Sequence, residues 1–135
     1  MPSSKTNFNE TPKFLSILGF HYFNFDRDKG VAEMKFNIGE ELTHSNGTIV
    51  QGGFITAMLD ASMAHLLILM SEGRINPLSL NVNVSFLSSG KSGEFVASSK
   101  IDKLGKSVAF TSAALHQNET LIATASATNK LIQAK

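Results

Sequence analysis

The stretch QGGFITAMLDASMAHLLILM, from Gln51 to Met70, is a long apolar run that carries one carboxylate, Asp60. It predicts a core helix over about residues 52–71, because a helix that is apolar on all sides is buried. An ionised carboxylate in such a helix is costly unless it is paired or hydrogen-bonded. Three explanations stay open: Asp60 bridges a neighbouring backbone segment, faces a wet interface cleft, or acts as a catalytic base or nucleophile.

The two glycines that open this helix add a second feature. Backbone N–H groups at Gly52 and Gly53 can approach a ligand closely, and a helix N-terminus favours an anion or a polarised carbonyl oxygen. Such donors and a carboxylate together suit acyl transfer. About 12 Å of helical rise separates Gly52 from Asp60, which is too far for one carbonyl carbon. We therefore expect a twofold dimer to bring Asp60 of one subunit to the Gly52 turn of the other.

The rest of the chain predicts an antiparallel sheet around this helix. A short helix follows Pro12 and ends at Gly19, and the strands FHYFNFD and VAEMKFNI are joined by the turn DRDKG. GEELTHSNGT is a polar loop. Four further strands follow the long helix: LSLNVNVSFL, EFVASSKID, SVAFTSAALHQ and TLIATASATNKLI. The order predicts an α+β fold in which about six antiparallel strands wrap one long central helix.

Strict alternation along two of these strands predicts which side chains share a face. In FHYFNFD it places Phe20 opposite Phe23 and Phe25. In LSLNVNVSFL it separates an apolar face from a polar one, with Leu80, Val82, Val84 and Phe86 against Ser79, Asn81, Asn83 and Ser85.

The composition excludes several classes of function. The length of 135 residues predicts one domain over 1–135, with residues 1–10 as a loose arm. A net charge of +1 gives no broad electrostatic reason to expect binding to nucleic acid or to a membrane surface. The chain has no Cys, and its four His are not clustered, so we expect neither a metal site nor a cofactor. The apolar stretch from Phe54 to Met70 is shorter than the roughly 20 residues of a membrane span. The N-terminus lacks the apolar stretch of a signal peptide, so we expect a cytoplasmic protein.

Four segments together resemble the hotdog-fold thioesterases of the PaaI-like group. They are NGTIVQGGFITAMLD, SLNVNVSFLSSGKSGEF, KLGKSVAF and ETLIATASATNKL, and the resemblance runs from about Phe14 to the C-terminus. It implies a hotdog fold and hydrolysis of an acyl-CoA thioester. With it we expect homodimers that pair their sheets edge to edge. Because the polar strand faces need a role, we further expect two dimers to assemble into a tetramer.

The resemblance assigns roles to individual residues. Asp60 matches the catalytic carboxylate of the helix, as general base or nucleophile, and Gly52 matches the glycine whose N–H polarises the thioester carbonyl. Gln51 stands where the family often has His, so it can donate hydrogen bonds but cannot titrate. Ser79 matches the residue that orients the nucleophilic water.

Two loops complete the implied site. Asn46 matches the water-positioning Asn, although the loop differs by about one residue from the usual spacing, so His44 or Ser45 could take that place. Gly53 stays a candidate for substrate contact at the helix start. Gly105 and Lys106 match the turn that meets the CoA phosphates, for which a lysine serves as a point charge.

Three other functions stay open from the sequence. A non-catalytic acyl-CoA or lipid-binding module would use Asp60 for structure alone. A dehydratase or hydratase of the same fold would want a His paired with an acid, which Gln51 disfavours. A purely structural oligomerisation domain would leave Asp60 and the Gly52 turn unexplained. His65, on the apolar helix, is better explained as a satisfied buried histidine than as a catalytic one.

Overall fold

The computed structural model describes residues 12–134, and the loose arm expected at residues 1–10 lies outside them. The elements are helices α1 (Lys13–Ile17) and α2 (Gly52–Met70), a short 3₁₀ turn (Glu40–Leu42), and strands β1 (Phe20–Asp26), β2 (Val31–Ile38), β3 (Thr43–His44), β4 (Ile49–Val50), β5 (Ile75–Phe86), β6 (Gly93–Leu104), β7 (Val108–Gln117) and β8 (Thr120–Gln133).

Six of the strands form one antiparallel sheet in the order β1-β2-β6-β7-β8-β5. Strands β1 and β5 are its two edges. The α+β architecture with about six strands and a long central helix is therefore confirmed. The segment GEELTHSNGT is not wholly a loop: it contains the 3₁₀ turn Glu40–Leu42 and the strand Thr43–His44, which pairs with Ile49–Val50 just after it as a small separate hairpin.

Helix α2 packs against the concave face of this sheet. Its covered side includes Ile55, Leu59, Met63 and Leu66, which are all buried. The opposite side is only half-buried, although it is also mostly apolar; it carries Ala57, Asp60, Ala64 and Ile68. By length and composition alone α2 would suffice to cross a membrane, but here it is the core helix of the fold.

Two strand faces differ from the expected alternation because each strand contains a bulge. In β1 the pairing with β2 shifts between Phe20 and Tyr22, so Phe20 joins Phe23 and Phe25 on the core side. A bulge inserts one unpaired residue and moves the side chains before it to the other face. The predicted placement of Phe20 opposite the other two phenylalanines was therefore wrong.

The C-terminal end of α2 is held by an arginine from the β1–β2 turn. Arg27 donates two hydrogen bonds, from Nη1 to Met70 O (2.9 Å) and from Nη2 to Leu69 O (3.1 Å). Its guanidinium also lies 5.4 Å from the centre of the Phe25 ring. A cation at this position pairs with the last free carbonyls and with the negative end of the helix dipole.

We predict that Arg27→Ala lowers the free energy of unfolding by about 1 kcal/mol, because two charge-assisted hydrogen bonds to the helix end are lost. Urea unfolding followed by circular dichroism measures the change. Arg74→Ala is the matched control, since Arg74 is exposed and pairs only with Glu72 among the described residues. Equal effects of the two substitutions would contradict this role for Arg27.

Candidate active site

Asp60 lies on the half-buried side of α2 and is hydrogen-bonded to the neighbouring edge strand. Ser79 Oγ on β5 donates to Asp60 Oδ1 at 2.9 Å. Within residues 12–134 no further hydrogen bond to the Asp60 carboxylate is present, so Oδ2 remains available to a water molecule or a ligand. The carboxylate is therefore neither sunk in the core nor bound to a backbone segment. It is oriented by one hydroxyl and open on its other side.

A bulge in β5 brings Ser79 to Asp60. The pairing of β5 with β8 shifts between Ser79 and Asn81, leaving Leu80 as the extra residue. Val82 and Val84 pack on the core, and the bulge turns Ser79 toward the same side. The predicted separation of Ser79 from the valine face was therefore wrong. Bulges of this kind often aim a side chain at a functional site.

The first turn of α2 leaves one backbone donor free. Gly53 N–H donates to the side chain of Gln51 (Oε1, 2.7 Å), and Phe54 and Ile55 N–H both donate to Gln51 O (2.9 and 3.3 Å). Among the described residues Gly52 N–H has no acceptor. Gln51 thus caps the helix with its own side chain, uses up the Gly53 donor, and leaves Gly52 N–H for a ligand.

An aromatic ring that the sequence reading did not single out lies beside Gly52. A Cβ at position 52 would be 3.4 Å from the Phe86 ring. Phe86 ends β5 and is 58% exposed, like its neighbours Leu80 and Leu87. In the sequence, the alternation that places Phe86 on the same strand face as Val82 and Val84 was the one indication of this position. The contact with the helix start becomes visible only in the folded chain.

The β3–β4 hairpin carries the other candidates near this turn. His44 Nδ1 lies 2.9 Å from Ser45 Oγ, and Asn46 sits at the exposed tip in a left-handed conformation (φ 61°). Gln51 N–H donates to Leu42 O (3.0 Å), which fastens the hairpin to the helix start. The hairpin therefore groups His44 and Asn46 with Gly52, and within the described chain none of its hydrogen bonds reaches Asp60.

The remaining loop lies at the other end of the sheet. Gly105 N–H donates to Val108 O (2.9 Å), and a Cβ at Gly105 would be 2.8 Å from that same oxygen, so the turn requires glycine. Lys106 follows it and is exposed. Val108 pairs with Lys130, and Lys130 pairs with Leu78, so this turn lies near Ser79 rather than near Gly52.

The candidate residues therefore form two groups within one chain. One contains Gln51, Gly52, Gly53, His44, Asn46 and the Phe86 ring; the other contains Asp60, Ser79, Gly105 and Lys106. Eight residues of α2, or about 12 Å of rise, separate Gly52 from Asp60. Within a single chain the backbone donor and the carboxylate therefore lie apart. This is the separation that the sequence predicted.

A groove of about 620 Å³ lies on the outer face of the sheet, away from both groups. Its polar lining includes Asn24, Glu33, Ser98 and Ser112. Because these side chains point away from α2, the groove is separate from the candidate site. No group of three or more metal-ligating side chains is found in the described part of the chain.

Comparison with known proteins identifies the class to which this arrangement belongs. Residues 41–130, more than half of the chain, match the family described as acyl-CoA thioesterase N-terminal domain. A curated Pseudomonas aeruginosa protein that bears the provisional name esterase is 26% identical over 120 residues, which cover 88% of this chain and 87% of that protein.

Two solved structures illustrate the fold similarity. One, from Ralstonia eutropha, is a provisionally named thioesterase described as phenylacetic acid degradation-related; it matches with a TM-score of 0.84 and 29% identity over 89% of this chain and 90% of that chain. The Escherichia coli PaaI protein, from the phenylacetic acid degradation operon, has a TM-score of 0.80 and 15% identity over 93% and 88% of the respective chains.

The chain belongs to the acyl-CoA thioesterase family, and it is a thioester hydrolase with a hotdog fold. Its fold is similar to that of the Escherichia coli PaaI protein. An interpretation as a purely structural or non-catalytic module is thereby replaced by an enzymatic one.

His65 on α2 is a partly buried histidine whose pKa is explained by its immediate neighbours. Burial lowers the pKa of His65, while a hydrogen bond from Nδ1 to Ala61 O (2.8 Å) and the nearby Asp60 carboxylate oppose that shift. The folded chain therefore binds a proton at this position less readily than the unfolded chain does.

We predict that the free energy of unfolding falls as the pH is lowered below about 6.5, because the unfolded chain then takes up a proton that folded His65 refuses. Chemical unfolding at several pH values between about 5 and 8, the range in which histidine titrates, measures how the free energy of unfolding changes with pH. His65→Gln keeps an N–H donor for Ala61 O but cannot titrate, so its slope should be smaller. Identical slopes would contradict the assignment.

Proposed function

We propose that this enzyme hydrolyses acyl-CoA thioesters at a site shared by two subunits, with Gly52 N–H from one and Asp60 from the other. One observation carries the proposal. The helix start leaves Gly52 N–H without an acceptor among the described residues, while the same helix exposes Asp60 to one side with a free carboxylate oxygen. Those are the two groups that acyl transfer needs.

Gly52 N–H is the proposed electrophilic donor. Gly52 N–H has no acceptor among the described residues, because the Gln51 side chain accepts from the next N–H of the turn, that of Gly53. A thioester carbonyl oxygen that receives this hydrogen bond at the positive end of α2 gains negative charge as the carbonyl carbon is attacked. The donor is therefore stronger toward the tetrahedral intermediate than toward the substrate, which is the condition for faster turnover.

Asp60 is the proposed base or nucleophile. As a base, it takes a proton from water while the water oxygen bonds to the carbonyl carbon; the C–S bond then breaks, and the proton held by Asp60 passes to the leaving thiolate, which gives the CoA thiol and a carboxylic acid. As a nucleophile, its oxygen bonds to the carbonyl carbon and the C–S bond breaks, which gives a mixed anhydride and the CoA thiolate; water then hydrolyses the anhydride to the carboxylic acid and frees Asp60. Ser79 fixes one carboxylate oxygen in either case (2.9 Å), which leaves the other to act.

The unpaired edge of the sheet supports the shared site. β5 is a twelve-residue edge strand with exposed Leu78 and Leu80, and an exposed apolar edge strand is a typical pairing surface. An antiparallel pair of two β5 strands centred near Val82 and Asn83 would set Phe86 of one chain opposite Ser79 of the other. Gly52 lies against Phe86 and Asp60 against Ser79, so such a dimer joins the two groups.

The half-buried side of α2 supports the same dimer. Ala57, Ala64 and Ile68 flank Asp60 on a mostly apolar stripe that the sheet does not cover. Small and apolar side chains on such a stripe suit close contact with a second subunit and with an acyl group. We propose that the acyl chain lies along this stripe. As a separate proposal, a second dimer covers the polar outer face of the sheet.

The other candidates take supporting roles in this proposal. Gln51 holds the helix start and has an amide N–H₂ left to donate, and Asn46 or His44 on the adjoining hairpin positions water or substrate. The turn at Gly105 and Lys106 lies on the Ser79 end of the sheet, where Lys106 provides a charge for the CoA phosphates.

We predict that Asp60→Asn lowers kcat by a factor of roughly a hundred or more, because the amide cannot accept a proton or attack the carbonyl. Thiol release from a panel of short aliphatic, long-chain and aromatic acyl-CoAs measures the loss and identifies the preferred acyl group. Asp102→Asn is the matched control, since Asp102 also accepts a serine hydroxyl, from Ser112 at 3.2 Å, but on the outer face. Wild-type protein that releases no thiol from any substrate, or equal losses in both variants, would contradict the proposal.

We predict that Gly52→Pro lowers kcat by a factor of about 10² to 10³, because proline lacks the N–H that polarises the carbonyl. The helix should survive, since position 52 is the first helical residue and Gln51 already has an extended conformation (φ −64°, ψ 137°) that proline tolerates. Gly52→Ala keeps the N–H and serves as the control.

Mixing the two inactive variants tests whether the site is shared. If Gly52 and Asp60 act from different subunits, a mixed dimer of Gly52→Pro and Asp60→Asn has one intact site. Random exchange should then restore about a quarter of the wild-type activity, since half of the dimers are mixed and each has one of two sites intact. No recovery after verified exchange would contradict the shared site while leaving the thioesterase activity in place.

A further inference from the structure

The β5–β6 loop, which no part of the family resemblance assigned to the site, contacts the segment that leads into Gly52. Val50 N–H donates to Gly90 O at 2.8 Å, two residues before the proposed carbonyl-polarising donor. On the other side, Gln51 N–H donates to Leu42 O at 3.0 Å. The peptide units before Gly52 are thus held between this loop and the residue that precedes the hairpin.

The loop itself is held by a side chain from the end of β7. Gln117 Nε2 donates to Lys91 O (2.7 Å), and Gln117 Oε1 accepts from Lys91 N–H (2.9 Å). The side-chain amide therefore pairs with Lys91 in both directions, as a strand backbone would. Gly90, the neighbour of Lys91, sits so close to the buried Phe95 ring that a Cβ would be 2.6 Å from it. The loop is pinned from both sides.

We infer that Gln117 is a positioning residue for the Gly52 N–H, an inference that rests on the proposed function. The connection runs through bonded neighbours: Gln117 fixes Lys91, the adjoining Gly90 carbonyl fixes Val50, and Val50 and Gln51 set the direction of the Gly52 N–H. Because catalysis depends on the angle and distance of a preorganised donor, a small displacement of that peptide weakens the transition-state interaction more than it weakens substrate binding.

The side-chain chemistry selects glutamine at this place. A methionine has a similar length but can form neither hydrogen bond with Lys91. A glutamate keeps the acceptor for Lys91 N–H but, when ionised, sets a carboxylate oxygen against Lys91 O in place of the donor. Gln133 on β8 is a suitable control, because it is exposed and its side chain makes no hydrogen bond within residues 12–134.

The test compares Gln117→Met, Gln117→Glu and Gln133→Met in steady-state kinetics and in amide NMR spectra, at a temperature where all are folded by circular dichroism. We expect kcat to fall on the order of tenfold for both position-117 variants, with KM changed less than about twofold, and Gln133→Met to match wild type. The amide resonances of Val50 and Gly52 should shift in the position-117 variants alone.

Two results would overturn the inference. One is unchanged Val50 and Gly52 resonances in Gln117→Met, whatever the activity. The other is a kcat for Gln117→Met and Gln117→Glu that equals the wild-type kcat, in a wild type that does hydrolyse acyl-CoA. If the wild type hydrolyses no thioester, the proposed function fails, but the NMR comparison still decides whether Gln117 positions the Gly52 turn.

Discussion

The burial of one side of α2 against the concave face of the sheet is the constraint on which the rest of the structure depends. The covered side removes large apolar side chains from water and fixes the rotation of the helix about its own axis. That rotation sends Asp60 to the side that the sheet leaves open. The carboxylate is thus available for chemistry without the desolvation cost that a core position would carry.

The apolar run and the alternating strands were sufficient to predict the helix, the six-stranded sheet and their order. Periodicity reports burial, and burial of a helix in a sheet leaves few arrangements for a chain of this length. The predicted faces of β1 and β5 were wrong at their bulges. A bulge depends on how two strands far apart in sequence pair, so local alternation around Phe20 or Ser79 does not reveal it.

The candidate site illustrates the same division. Asp60 and the glycine pair stand out in the sequence because each breaks a local rule. Asp60 is a charge in an apolar helix, and the glycines are flexible residues at the start of that helix. The Gln51 cap, the Phe86 ring and the Gln117 amide pair break no local rule and become visible only through contacts in the folded chain. The Asp102 and Ser112 pair on the outer face makes the same kind of hydrogen bond as Asp60 and Ser79, but no free helix N–H belongs to its surroundings in the proposed dimer. The surroundings make the difference.

The position of α2 in the chain also bears on biosynthesis. The helix precedes β5, β6, β7 and β8, which supply most of the strands that pack against it. During translation the apolar helix therefore leaves the ribosome before its cover has been made, and its composition resembles that of a membrane segment. Nascent chains at this stage expose the surface that drives aggregation, so the growing polypeptide depends on rapid closure of the sheet or on chaperone binding until β8 emerges.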